Sequence, residues 1–223
     1  MAALPDLPAS FTSALELIDA AHAEDPRAIP SPDGTDTTLP SELHYARKMT
    51  RWLAVRCPDA SPSLQVACRA QHFRSTQTDK TATPPGRAKN RWEIPRDSFP
   101  MTRAGYLTWR AKQKTEAAEK IKVLLSSLSP ALAAADIDRV AALVRKEGLA
   151  VDAETQVLED VACLVFLDDQ LDDFEKRADV DEDKMVNILR KTWAKMSARG
   201  REIALGMKLS ERATTLVTKA LAE

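Results

Sequence analysis

The sequence predicts an all-α fold, a single-domain bundle of seven to nine helices. Three observations carry that expectation. The 223 residues include only 6 Gly and 5% aromatics, while Ala, Leu, Lys and Glu abound, a composition of helix formers. Apolar residues recur at three- and four-residue spacing, with no strand-type alternation and no internal repeat. Capping residues such as Ser41, Asp152 and Gly148 punctuate the runs. At this length one domain is expected over 10–223, preceded by a loose tail 1–9 carrying Pro5 and Pro8.

The first helix falls at about Ser10–Glu24, with Leu15, Ile18 and Ala21 as its stripe. His22, beside Glu24 and Asp25, is expected to face solvent. The stretch Asp25–Pro40 holds four prolines and reads as loop. From Ser41 a second helix presents Leu43, Ala46, Met49, Trp52 and Leu53 to the core, with His44 beside that face. A third, about Ser61–Phe73, groups Leu64, Ala67, Cys68 and Gln71, and its Arg69 and His72 stand three apart.

Residues 75–88 contain no large apolar side chain and are expected to be a mobile surface insertion without a catalytic role. The next stretch is the densest run of arginine and aromatics in the chain. Its first half, broken by Pro95 and Pro100, is an irregular loop. A long helix then runs from about Thr102 to Ser126, with Arg103, Tyr106, Trp109, Arg110 and Lys114 along one side. The plainer alternative is a loop strapped to the bundle by Trp92, Phe99 and Trp109.

Ser129–Glu147 forms another helix stopped by Gly148, with Ile137, Val140, Ala141 and Val144 inward. The helix after Asp152 continues to Phe174. Its apolar run Val161–Leu167 leaves no polar side and should be buried all round. Two further helices, Asp181–Ser197 and Ser210–Leu221, close the chain. The first buries Met185, Ile188, Leu189, Trp193 and Met196.

A net charge of −1 conceals an asymmetry. Between Arg87 and Lys122 ten Lys/Arg face four Asp/Glu, or +6; between Asp152 and Asp183 thirteen acids face two bases, or −11. Such blocks imply an anionic partner and a cation respectively, or each other. Cys57, Cys68 and Cys163 lack CxxC spacing, so reduced thiols and a cytoplasmic setting are expected. No window reaches membrane-spanning length.

HExxH, a serine nucleophile elbow, a P-loop and GxGxxG are all missing. What remains is His44, His72 and the pair Glu159–Asp160 on three helices. Histidines from two successive helices followed by an acid from a later one is the ligand order of HD-type metal phosphohydrolases, so the bundle is expected to be HD-domain-like. His44, His72 and Asp160 would hold a divalent Mn, Fe, Mg or Zn, and His72, Glu159 and Asp160 would carry catalysis. Arg69, Gln71, Arg91, Arg96, Arg103, Arg110 and Lys114 would bind the anion, and Trp92, Tyr106 and Trp109 would shape its site. The substrate class is a small phosphorylated or sulfated compound, nucleotide-like in character.

The alternative is a non-catalytic module that binds an anionic ligand or partner through the Arg/Trp-rich stretch. RNA binding rests on the basic block alone. Asp168, Asp169 and Asp172 spell DDxxD, a magnesium-diphosphate pattern, but no second metal box accompanies it and a solvated acidic helix end is preferred.

The segments RAQH (Arg69–His72), RWEIPRDSFP (Arg91–Pro100), RAGYLTWR (Arg103–Arg110), LVRKEGL (Leu143–Leu149), QVLEDVACLVFLDDQ (Gln156–Gln170) and ILRKTWAKMSARG (Ile188–Gly200) resemble the domain-of-unknown-function family numbered 4202. The likeness spans about Ser10 to Leu205 and is nearest to fungal-type members. Some members carry a glutamyl-tRNA synthetase label, which no HIGH-like or KMSKS-like signature supports here. In the family an Arg-Trp pair follows the RAQH histidine almost directly, whereas here Phe73–Asn90 intervenes. Ala117 stands where many bacterial members have histidine.

Overall fold

A computed structural model describes residues 3–31, 37–71, 73, 94, 96–171 and 181–222. His72, Arg91, Trp92, Asp172 and the 75–88 stretch lie outside them. Among the described residues the chain forms nine α-helices and one short two-stranded ribbon, so it is all-α. Its residues divide into two compact units, 5–50 with 61–147, and 1–4 with 51–60 and 148–223.

In the first unit, α1 (Ala9–Ala23) buries Phe11, Ala14 and Ile18. His22 is also buried, 2% exposed, which corrects its expected solvent-facing placement. The stretch read as loop contains β1 (Ala28–Pro30) paired antiparallel with β2 (Thr38–Pro40), Ile29 opposite Leu39. Polar contacts fix this ribbon, which is why hydrophobic periodicity did not register it. Arg27 bridges Asp25 and Glu42 at 3.0 and 2.8 Å, and the Asp25 carboxylate accepts from the Glu42 amide. Burial works against the Asp25 charge, but the Arg27 and Glu42 hydrogen bonds hold its carboxyl below the usual range.

Helix α2 (Ser41–Arg56) begins where Ser41 predicted. Helix α3 (Pro62–Arg69) starts with Pro62 after the Ser61 cap, whose hydroxyl accepts from Leu64 N. It ends four residues earlier than the expected Phe73. Helix α4 (Arg103–Ser126) is capped by Thr102, which accepts from Gly105 N. Helix α5 (Ala134–Arg145) runs back antiparallel along the second half of α4. Lys122 there meets Asp138 at 2.8 Å, and Arg145 meets Glu119 at 3.4 Å. The α5 stop involves Lys146 as well as Gly148, both left-handed at φ 58° and 63°.

In the second unit, Asp152 caps α6 (Ala153–Val165) by accepting from Thr155 N. A π-helical turn, Phe166–Gln170, follows it. Five of the seven residues Val161–Leu167 are buried, Ala162 and Phe166 being half-buried, close to the expected all-round burial. Helix α7 (Glu182–Lys195) and α9 (Glu211–Leu221) carry caps Asp181 and Ser210. Between them lies α8 (Ala198–Leu205), which sequence periodicity did not separate. Cys163, Leu164, Leu167, Met185, Leu189, Met196, Ala204 and Leu216 form one core, with Trp52 and Trp193 packed at its edge. Among the described residues no helix is long and apolar enough to cross a membrane.

Candidate functional site

Asp160 lies on the inner face of α6 and is fully buried. Its Oδ1 accepts from Ser197 N at 2.8 Å and Gln156 Nε2 at 3.0 Å. Its Oδ2 accepts from Arg56 Nε at 2.8 Å and Ser197 Oγ at 2.5 Å. A carboxylate has about four acceptor sites, and here protein donors occupy all four. The same Ser197 hydroxyl caps α8 by accepting from Gly200 N. Glycine is required at 200, since a Cβ there would lie 2.6 Å from the Asp160 carboxylate carbon. Burying this charge is tolerable because it is paired and saturated. Glu159, 6% exposed, meets Lys195 Nζ at 3.8 Å. Farther along, within the π-helical turn, Asp168 accepts from Trp52 Nε1 at 3.0 Å.

Arg69 belongs to a second knot. Its Nε and Nη2 clamp Asp19 at 2.6 and 2.7 Å, and Nη1 donates to Thr50 Oγ1 at 2.8 Å. Its backbone oxygen lies 3.1 Å from His22 Nε2. A carbonyl can only accept, so the Nε2 tautomer of His22 carries the proton. The ring packs edge-on against Phe73, 5.7 Å between centroids. Burial lowers the His22 pKa; the Arg69 carbonyl, Glu42 and Asp19 oppose that shift only partly. Gln71 is buried nearby in sequence, and its amide nitrogen has no hydrogen-bond partner among the described residues. His44, on α2, is 9% exposed.

The arginine- and aromatic-rich stretch is built around Trp109. This residue is 8% exposed and donates from Nε1 to Ile94 O at 2.8 Å. Arg96 lies over its ring, 6.0 Å from the centroid, and donates to Phe99 O and Thr102 O. Gly105 lets the Pro100 carbonyl approach α4, since a Cβ at 105 would lie 2.9 Å from the carbonyl carbon and closer still to its oxygen. Trp109, one of the three straps of the strapped-loop alternative, is thus a fastener, and Arg96, expected to bind the anion, works beside it. Arg103, Tyr106, Arg110 and Lys114 share another side of α4, within about 80° by helix geometry. Arg103 and Tyr106 are exposed, whereas Arg110 and Lys114 are half-buried.

The sequence-predicted residues therefore separate. Asp160 and Glu159 lie in one unit, while Arg69, Gln71, His44, Arg96, Arg103, Tyr106, Trp109, Arg110 and Lys114 lie in the other. His72, Arg91 and Trp92 fall outside the described residues. No group of three His, Cys, Asp or Glu side chains is arranged as a metal site among the described residues. Sequence reasoning missed Arg56, Gln156, Ser197 and Gly200 around Asp160, and Asp19 and Thr50 around Arg69. Gln156 lies in the family-like segment QVLED and Ser197 and Gly200 in SARG, which spacing alone could not join, and Arg56, Asp19 and Thr50 carried no signal of their role. The three cysteines are free. Burial and then Asp59 push the Cys57 thiol up to about 11, so it is not a thiolate nucleophile at neutral pH.

These features define a helical protein with two internal charge knots and one basic, aromatic helix side. The chain matches the family model described as "Domain of unknown function (DUF4202)" over residues 12–217 and belongs to that family. No curated protein and no solved structure matches it.

Proposed function

We propose that the protein is a helical module that binds an anionic ligand along the Arg103–Tyr106–Arg110–Lys114 side of α4. The observation that supports this is the division of labour between that helix and the turn before it. Arg96 and Trp109 fasten the preceding segment, which leaves Arg103 and Tyr106 exposed beside Arg110 and Lys114. Guanidinium forks suit phosphate and sulfate oxygens, and a neighbouring phenol ring suits a planar or apolar part of the ligand. The free cysteines fit a cytoplasmic setting.

A hydrolase whose metal sits on Asp160 would first have to strip that carboxylate of its four protein donors. For that reason the binding role is preferred over metal-dependent hydrolysis with a divalent ion on His44, His72 and Asp160. Titration with inorganic tripolyphosphate tests the choice. Binding should weaken steeply between 50 and 200 mM salt, and Arg103→Ala and Arg110→Ala should each weaken it up to about fivefold. Absence of binding at low salt, or salt-insensitive binding, would overturn the proposal. Stoichiometric metal that is lost on His72→Ala, together with phosphoester turnover, would replace it with the hydrolase.

A further inference from the structure

Two amide nitrogens, on Gln71 and Gln113, are buried without a hydrogen-bond partner among the described residues. Gln113 stands on α4 beside the proposed anion side, about 20° round the helix from Tyr106 and about 60° from Arg110. Arg110 settles which of its amide atoms is which. Arg110 Nη1 lies 3.3 Å from Gln113 Oε1, and a guanidinium can only donate. The atom facing it is therefore the carbonyl oxygen, and the NH2 group is the one without a partner. The residue is half-buried, yet its nitrogen is out of contact with solvent. A buried donor without an acceptor is destabilising and rare in folded proteins. A methionine would occupy the same helical position without that cost. In the free protein, Gln113 thus stands there at a loss.

The neighbours indicate what would accept from it. Arg110, one turn before, and Lys114, the next residue, are cationic and half-buried. A cation would be repelled there, and a neutral carbonyl would gain little from the charges. An oxyanion accepts from the amide and is attracted by both side chains. Depth narrows the class further. A phosphodiester inside a polymer is substituted on both sides, which holds its oxygens at the exposed rim. A terminal phosphoryl or sulfuryl group has one link outward and can bring an oxygen inward.

Deepening the anion-binding role and resting on it, we propose that Gln113 is a ligand-binding residue of that site. The ligand carries a terminal phosphoryl or sulfuryl group, one oxygen of which accepts from Gln113 Nε2. Arg110 positions the amide through its bond to Oε1, and the exposed Arg103 and Tyr106 meet the rest of the molecule. Entry is through rotamer changes of the long Arg110 and Lys114 side chains, which border Gln113 on α4.

The test titrates the full chain with linear tripolyphosphate, which has terminal phosphoryl groups, and with cyclic trimetaphosphate, which has none. The NMR signals of the Gln113 NH2 group, assigned through bonds to its backbone, should shift with tripolyphosphate. They are read on the parent, so they decide even if a variant fails to fold. Gln113→Met should weaken tripolyphosphate binding by about tenfold, as expected for one lost hydrogen bond to a charged group, and trimetaphosphate binding less. Its denaturation midpoint without ligand should equal or exceed the parent's, because an unsatisfied donor has been removed; a purely structural glutamine would lower it. Gln113→Glu, nearly the same shape, should abolish tripolyphosphate binding by placing a carboxylate beside Arg110. Tripolyphosphate binding that Arg103→Ala weakens but Gln113→Met does not, with the NH2 signals unmoved, would overturn the inference and leave the anion-binding role standing. Equal weakening of the linear and cyclic anions would overturn the terminal-group assignment. A parent that binds neither anion at low salt would remove both readings.

Discussion

The Asp160 knot and the first half of α4 are both rich in charge, and they use it in opposite ways. Asp160 is fully buried and surrounded by Arg56, Gln156 and Ser197, so its charge ties α6 to the start of α8 within one unit. Around the first half of α4, Trp109 on the helix and Arg96 just before it work inward, while Arg103 and Tyr106 face out. The contrast teaches that a motif dense in ionisable residues is not by that fact a reactive site. What separates the Asp160 scaffold from an exposed side chain such as Arg103 is burial with every acceptor site of the charge filled.

Mutation can break this contrast. Asp160→Ala should cost about 3–5 kcal/mol in chemical denaturation, because it leaves the Arg56 charge and the Ser197 donors buried without an acceptor. Gly200→Ala attacks the same knot from the other side, its Cβ meeting the carboxylate. An Asp160→Ala variant as stable as the parent would show the knot to be incidental. Gly105→Ala should cost about 1–3 kcal/mol by overpacking against the Pro100 carbonyl, and the fluorescence of Trp109 should report the displaced segment.

The α1–α3 contact offers a pH handle. His22 is buried and its pKa lies below 6.5 in the folded chain, so the unfolded chain takes up the proton first as pH falls. Stability should therefore decline as pH drops below about 6.5. The hydrogen bond to the Arg69 carbonyl, Glu42 and Asp19 soften the effect, and the Arg69 guanidinium charge sharpens it by a smaller amount. Denaturation midpoints at pH 7.5 and 5.5 should differ more for the parent than for His22→Gln. Equal differences in both would remove His22 as the cause. The smallest effect is expected at Arg103→Ala, within about 0.5 kcal/mol of the parent in stability although it weakens tripolyphosphate binding. A large loss of stability there would mean that Arg103 is scaffold after all.

Much of the fold was legible because caps and periodicity are local. Ser61, Thr102, Asp152, Asp181 and Ser210 each accept from a backbone N–H at the start of a helix. The apolar run in α6 is buried nearly as read. The ribbon at Ala28–Pro40 and the burial of His22 were not legible, since both depend on contacts distant in sequence, Arg27 to Glu42 and His22 to Arg69. The grouping of Glu159–Asp160 with histidines as catalytic residues came from ligand order alone. Order along the chain says which side chains are available, but not which donors reach them first.

By itself, then, the chain determined its helical class, most helix starts, its charge asymmetry and its family. Helix formation is decided within a few residues, by propensity, capping and the period of the apolar face. Only the tertiary structure decided what the charged residues do. Arg56, Asp160 and Ser197 are separated by 104, 37 and 141 positions, and their saturation depends on packing that brings three helices to one point. Which half of α4 lies against α5 is likewise set by contacts distant in sequence, Arg145 to Glu119 and Lys122 to Asp138.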